Sequence, residues 1–191
     1  MRVIAGLARG RRLEALPGEE VTRPTIERVK EGMFSALQFS LPGAQVLDLF
    51  AGSGQLGIEA LSRGAAHCTF VDQNRAAAQV VLQNCRAAGV QHAARVVQTE
   101  AQAFLARTAG RYHIILLDPP YRQDILTAIL PMAGRVSAPG GIVLCESELD
   151  AALPDECGGL QKKKQYRYGT VLVTRYEKER AALEGENEHE Y

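Results

Sequence analysis

From Val46 onward the chain alternates short apolar runs with amphipathic stretches. Val46-Leu47-Asp48-Leu49-Phe50 reads as a buried strand that ends at Ala51-Gly52-Ser53-Gly54. Leu56, Ile58, Ala60 and Leu61 then mark a helix, with Gly64 as its stop. Cys68-Thr69-Phe70-Val71-Asp72 predicts a second strand, and Arg75 to Ala88 a second helix closed by Gly89. Arg95 to Gln98 followed by Ala101 to Ala109 repeats the unit. Tyr112 to Leu117 is a strongly apolar strand that runs into Asp118-Pro119-Pro120-Tyr121. Ile125 to Met132 reads as a helix, Pro139-Gly140-Gly141 as a turn, and Ile142 to Glu146 as a fifth strand.

Strands that are apolar on both faces and alternate with helices predict a parallel sheet covered on each side. The ending breaks the pattern. Lys164 to Tyr168 and Thr170 to Tyr176 are separated by Gly169 alone, which leaves no room for a crossover helix. So tight a connection forces antiparallel pairing. The expected fold is therefore α/β and doubly wound, a mostly parallel seven-stranded sheet finishing in a hairpin. Ahead of it, Val3-Ile4 and Leu13, separated by Gly6 and Gly10, suggest a small hairpin. Thr22-Arg23-Pro24 opens a helix whose Ile26, Val29, Met33 and Leu37 share a face, with Arg28, Lys30 and Glu31 off it. Three parts are expected: an N-terminal basic hairpin and helix over 1–40, the main domain over 41–176, and a disordered acidic tail over 177–191.

Composition narrows the class without choosing a function. At 191 residues, with 46% hydrophobic and 23% charged positions, the chain suits one globular domain. Its formal net charge of zero means that any nucleic-acid contact has to come from local basic patches. The four cysteines form no C-x-x-C pair and no histidine stands at metal-ligand spacing, so reduced structural thiols are expected and no metal. No signal peptide or membrane-length apolar run is visible, and a cytoplasmic monomer is the expectation.

Two motifs carry the chemistry. Gly52-Ser53-Gly54-Gln55-Leu56-Gly57 is a G-x-G-x-x-G loop between a strand and a helix, where glycine lets the backbone turn and approach a ligand. Asp72 ends the next strand, placed to accept both hydroxyls of a ribose. Both a dinucleotide and S-adenosylmethionine offer such a ribose. Asp48, four residues before Gly52, disfavours a pyrophosphate and suits the positive sulfonium and amino groups of S-adenosylmethionine.

The second motif, Asp118-Pro119-Pro120-Tyr121, decides between them. An exocyclic amino nitrogen on a base is a poor nucleophile because its lone pair is delocalised into the ring. The Asp118 carboxylate and the Pro119 carbonyl can accept its two N–H bonds and aim that lone pair at an electrophilic methyl. Pro119 and Pro120 fix the carbonyl's direction, and Tyr121 offers a face for an unstacked base. Both motifs also occur as plain turns. Together, after a strand, they are a specific pair.

Leu47 to Gly54 with Asp118-Pro119-Pro120-Tyr121 resembles the amino-methyltransferases of the class I fold. Arg2 to Gly6, Arg9-Gly10-Arg11-Arg12-Leu13, Arg23-Pro24-Thr25, Arg28-Val29-Lys30-Glu31 and Leu61 to Ala65 narrow the resemblance. To about Tyr176 the chain is similar to the RsmD family of bacterial 16S ribosomal RNA guanine-N2 methyltransferases. The resemblance implies S-adenosyl-L-methionine as cofactor and 16S ribosomal RNA, or the small ribosomal subunit particle, as partner. The acceptor would be guanine N2, at position 966 in the family's substrate. Carried over, Asp48, Ala51, Gly52, Ser53, Gly54, Asp72 and Glu100 would hold the cofactor, with Glu100 near the adenine. Asp118, Pro119, Pro120 and Tyr121 would hold the base. Arg9, Arg11, Arg12, Arg23 and Arg28 would contact phosphates, as Lys30 and the Lys162 to Lys164 run could. Tyr166 and Tyr168 could stack bases or face the core. Three alternatives stay open: a DNA adenine-N6 methyltransferase, a dehydrogenase, which lacks a catalytic Tyr-x-x-x-Lys, and a catalytically idle RNA-binding ribosome-assembly factor.

Overall fold

The apolar runs assemble into one open sheet with helices on both faces. The computed structural model of the chain describes residues 1–17, 24–120 and 123–180, and only the backbone of 24–26 and 123–124. Helix α1 (Pro24–Leu37) leads into β1 (Gln45–Asp48), α2 (Gln55–Ser62), β2 (His67–Asp72) and α3 (Arg75–Ala88). Then come a 3₁₀ turn at Gln91–Ala93, β3 (Ala94–Gln98), α4 (Ala101–Arg107), β4 (Tyr112–Leu117) and α5 (Gln123–Val136). The sheet finishes with β5 (Ser137–Glu148), β6 (Glu156–Cys157), β7 (Leu160–Tyr168) and β8 (Val171–Lys178). Among the described residues the strand order is β3-β2-β1-β4-β5-β8-β7-β6.

The five strands β1 to β5 pair in parallel. Strand residues alternate between two cores, which explains why each run is apolar throughout. Val46, Phe70, Ile114, Leu116 and Leu144 face α1 to α3. Leu47, Val71, Ile115, Leu117 and Cys145 face α4 and α5. The chain starts at the sheet's centre, winds outward through β2 and β3, and returns to β4 on the other side of β1. Such a reversal opens a crevice beyond the carboxyl ends of the central strands, where open α/β sheets bind ligands. Backbone bonds from Ala51 N to Val71 O (3.0 Å) and from Thr99 N to Asp72 O (3.0 Å) lock the loops at that edge together.

The expected hairpin is present, with β8 antiparallel to both β5 and β7. Three boundaries differ from expectation. The sheet has an eighth member, the two-residue β6. Pro139-Gly140-Gly141 is no free turn: it lies inside β5, as an irregularity that lets Ile142 to Cys145 stay in register with Ile114 to Leu117. Strand β8 continues through Glu177 and Lys178, because both still pair with neighbouring strands. The tail beyond Arg180 lies outside the described residues.

The N-terminal segment folds as a small antiparallel hairpin, bridged between Arg2 and Arg12. A buried carboxylate fastens it. Glu59 of α2 is fully buried and accepts from Ile4 N (2.8 Å), Ala5 N (3.0 Å) and Arg63 Nε (2.8 Å). Lys30 Nζ lies 3.3 Å from the same carboxylate and donates to Arg2 O at 2.8 Å. Ser62 Oγ adds a bond from Ala8 N (2.9 Å) and one to Ala5 O (2.6 Å).

Candidate active site

The cleft at the reversal point is built from four strand ends and one wall contributed by the N-terminal segment. It encloses about 900 Å³ and is lined by residues at the ends of β1, β2, β3 and β4 and by Glu146 of β5, with Met1, Arg2 and α1 at its side. That volume suits a nucleoside-sized ligand.

The glycine loop shapes the floor. Gly54 caps α2 with φ of 80°, a left-handed conformation that disfavours any side chain, and a Cβ there would come within 3.2 Å of Val81. Gly57, the third glycine, faces inward. A side chain there would collide with the Phe70 ring and Cys68 Sγ, so its absence lets α2 lie flush against β2. Ser53 is buried, and its carbonyl accepts from Asn84 Nδ2 at 2.8 Å. The same Asn84 side chain clamps the backbone of Glu14, accepting from its N–H (2.8 Å) and donating to its carbonyl (2.9 Å). One buried amide thus links the N-terminal segment to the loop.

Two aspartates stand around that loop in different states. Asp48 Oδ2 accepts from Gly57 N at 2.9 Å, while Oδ1 is buried without a hydrogen-bond partner among the described residues. Burial pushes its carboxyl up to about 7, the Gly57 N–H opposing and Asp72 adding a little. Asp72 is half-buried; its Oδ2 accepts from Gly52 N (2.9 Å) and its Oδ1 from Asn74 N (2.8 Å). It therefore holds the loop closed as well as lining the cavity. An orphaned carboxylate oxygen under a glycine cradle is what a cationic nucleoside would fill. The residues present fit S-adenosylmethionine.

Ala51, Gly52 and Ser53 line the same cavity, as do Thr99 and the exposed Glu100 at the start of α4. On its other side Asp118 is half-buried, Pro119 buried and Pro120 exposed, and all three line the cavity too. Tyr121 lies outside the described residues, as does Arg23. Arg9, Arg11 and Arg12 are exposed on the N-terminal hairpin and Arg28 on α1.

Two expectations about basic residues need correction. Lys30 is 3% exposed and paired with Glu59, so it has no surface to offer a phosphate. Lys162 donates to Leu153 O and Asp155, both at 2.7 Å, and Arg175 to Ala36 O at 2.7 Å. Part of the closing hairpin's charge is thus committed within the protein. Of the two alternatives left open for Tyr166 and Tyr168, packing against the core beside α1 to α3 is the one seen. The reading missed Asn84, Glu59 and Glu146, a half-buried carboxylate at the end of β5 that lines the cavity.

The family described as "Conserved hypothetical protein 95" matches residues 1–177. Ribosomal RNA small subunit methyltransferase D of Escherichia coli (strain K12) is 35% identical over 181 residues, covering 94% of this chain and 90% of its own. The chain belongs to the RsmD family. YlbH of Bacillus subtilis, named provisionally as an rRNA methyltransferase, is 39% identical over 183 residues, 93% of this chain and 99% of its own. The solved structure of yhhF from Escherichia coli, described provisionally as a methyltransferase, superposes with a TM-score of 0.82 at 33% identity. It covers 95% of this chain and 99% of its own. Membership of the RsmD family makes this fold a class I methyltransferase, a class whose methyl donor is S-adenosylmethionine.

Proposed function

We propose that this RsmD-family chain transfers the methyl group of S-adenosylmethionine to the exocyclic N2 of a guanine in 16S ribosomal RNA, the position-966 guanine of the family's substrate being the first candidate. The observation that carries the reading is the meeting, in one cleft, of Asp48 and the Ala51–Ser53 part of the glycine loop with Asp118-Pro119-Pro120. Asp48, Ala51, Gly52, Ser53, Gly54, Asp72 and Glu100 hold the cofactor. Bound there, S-adenosylmethionine supplies an electrophilic methyl on a positively charged sulfur.

The chain's own residues do the rest. Asp48 places a carboxylate beside the ligand's positive groups in a dry site, where such a pairing is strong. Asp72 receives the ribose hydroxyls on lone pairs left over from Gly52 and Asn74. The Asp118 carboxylate and Pro119 carbonyl accept the amino N–H bonds of the base, contacts that tighten as nitrogen turns tetrahedral and positive. Asp118 orients the amino group, and the proton leaves nitrogen after transfer. Tyr121 is the stacking face. Arg9, Arg11, Arg12, Arg23 and Arg28 hold phosphates around the opening.

The test is methyl transfer from labelled S-adenosylmethionine to small-subunit particles and their RNA from cells lacking the gene, followed by nucleoside analysis. N2-methylguanosine at one site is expected. Label on adenine N6 of DNA would overturn the substrate while keeping the chemistry. No transfer and no cofactor binding would remove the enzyme reading altogether. Asp118→Ala with near-normal turnover would refute the role given to Asp118.

A further inference from the structure

Helix α1 starts at the cleft, where Glu27 lines it, and runs across β7 and β8. A Cβ on Gly32 would collide with the Tyr168 hydroxyl, so the helix lies close on β7. Four residues on, the Ala36 carbonyl accepts from Arg175 Nη1 of β8 at 2.7 Å. The helix stops at Leu37, but the sheet does not. Beyond it Ile142, Glu177 and Gln161 form one row across β5, β8 and β7. A second cavity, of about 430 Å³, opens over that row. From Gly140, which lines it, to Glu146 in the cleft is about 20 Å along β5, at about 3.3 Å per residue.

Two independent features mark this opening. Its lining carries four cations, Lys163, Arg175, Lys178 and Arg180, against the carboxylates of Glu177 and Glu179. Arg175 and Glu177 neutralise each other at 2.7 Å. Lys163 and Arg180 are exposed, and among the described residues neither has a carboxylate in salt-bridge reach. Lys163 bonds the neutral Gln161 side chain at 2.6 Å, and Arg180 lies across Gly140, its Cγ 3.3 Å from where a Cβ would stand. The second feature is Phe39, 91% exposed, next in the chain to Ser40 of the cavity wall. Its turn is fixed: Ser40 N and Leu41 N both donate to Leu37 O, at 2.8 and 3.1 Å, and both leucines are buried.

A lone exposed apolar residue calls for no ligand. An aromatic ring on a fixed turn, beside unpaired cations, matches what single-stranded nucleic acid offers: bases to stack and phosphates to neutralise. Between ring and cations the wall is polar, with Ser40 and Gln161, where a protein partner would want an apolar socket. We infer that this open face is a second RNA site, which stacks a base of a single-stranded segment on Phe39 and holds its phosphates on Lys163 and Arg180. This rests on the RNA reading under the proposed function. A strand gripped here and at the cleft is held at two points, so the site raises affinity without touching the reacting atoms.

The chain has no tryptophan, so Phe39→Trp installs a single indole reporter on the surface. Titration with single-stranded oligouridine of about twelve nucleotides should quench it saturably, and added salt should reverse the quenching. Phe39→Ala should weaken binding of naked 16S ribosomal RNA by about 5-fold or more, with S-adenosylmethionine affinity within about twofold and kcat at saturating RNA unchanged. Lys163→Ala with Arg180→Ala should flatten the slope of log K against log salt by about 1.4, the share of two phosphate contacts. An indole that stays unquenched at saturating RNA overturns the inference, as does wild-type RNA affinity in Phe39→Ala. Quenching by small-subunit particles but not by naked RNA would assign the face to a protein and overturn it too. In each of those cases the wild-type protein still methylates RNA and the proposed function stands. A wild-type protein that binds and methylates no RNA would bring down the proposed function, and this inference with it.

Discussion

An aspartate is ionised in neutral water, but Asp48 is almost wholly buried at the base of the cleft. Its ordinary carboxyl value of 3.8 rises to about 7 because burial penalises the anion more than the single Gly57 N–H supports it. Between pH 4 and 7 the folded chain therefore holds a proton that the unfolded chain has lost. Stability falls as pH rises through that window and levels off above it. A cationic ligand reverses the preference of the site. Below about pH 7 its binding must expel the Asp48 proton, so affinity for S-adenosylmethionine should rise from pH 6 toward 8, approaching about tenfold per unit on the acid side. Asp48→Asn should bind more weakly at pH 8, lose the rise, and be more stable than wild type at that pH. Titration calorimetry in buffers of different ionisation heat reads the proton directly; parallel pH profiles for the two proteins would refute the assignment. At this scale the sequence was informative where chemistry and a local pattern coincide. Gly52 to Gly54, Asp72 and Asp118 to Pro120 could be singled out because each stands at or just beyond a strand end. The orphaned state of Asp48 Oδ1 was not readable, because it depends on what packs around β1. Glu146 looked like any strand-end acid until the fold put it on the wall of the cleft.

Among the elements, the N-terminal hairpin is held by side chains more than by its own ladder, which has one isolated bridge. Glu59 carries most of that load from inside α2, and the Lys30 ammonium it faces is pushed below its ordinary value by burial, with Glu59 opposing the shift. Glu59→Gln would leave a buried cation without its counter-charge and turn an amide NH₂ toward backbone donors. Removing one partner of a buried pair costs about 3–5 kcal/mol. For a domain of this size that is a fall in Tm of roughly 6–20 °C. Hydrogen exchange should speed up first at the amides of Val3 to Leu13. Glu59→Gln combined with Lys30→Met should recover part of the loss, and a double variant no better than the single would place the cost elsewhere. None of this was visible in the sequence, since Ile4 and Glu59 are joined only by folding. Local signals did better. Asn74 and Gly89 bound α3 at both ends, so its limits match expectation, as do those of β4. The start of β5 did not, because Pro139-Gly140-Gly141 carries turn chemistry yet is held in the sheet by pairing on either side. The two-residue β6 is too short to leave any periodicity.

For the molecule as a whole, zero net charge removes long-range attraction to RNA, so affinity has to come from where the charges are held. Arg9, Arg11 and Arg12 are exposed on a hairpin fastened to α2 through Glu59 and Ser62 and to the glycine loop through Asn84. Arginines fastened in this way cannot drift relative to the cleft, and under the proposed function phosphate contacts made by them would fix where a base enters. None of the three arginines lines the cavity. Replacing all three with alanine should therefore leave S-adenosylmethionine affinity unchanged, raise KM for RNA and spare kcat at saturation. The salt dependence supplies the sharper reading. Each phosphate contact to single-stranded RNA contributes about 0.7 to the slope of log K against log salt, so loss of three should flatten the slope by about 2. A drop in affinity with the slope intact would mean that the hairpin acts by shape. An unchanged affinity would move the RNA path to the exposed Lys163 and Lys164 of β7, at the other end of the chain, and the N-terminal hairpin would then serve only as a wall of the cleft.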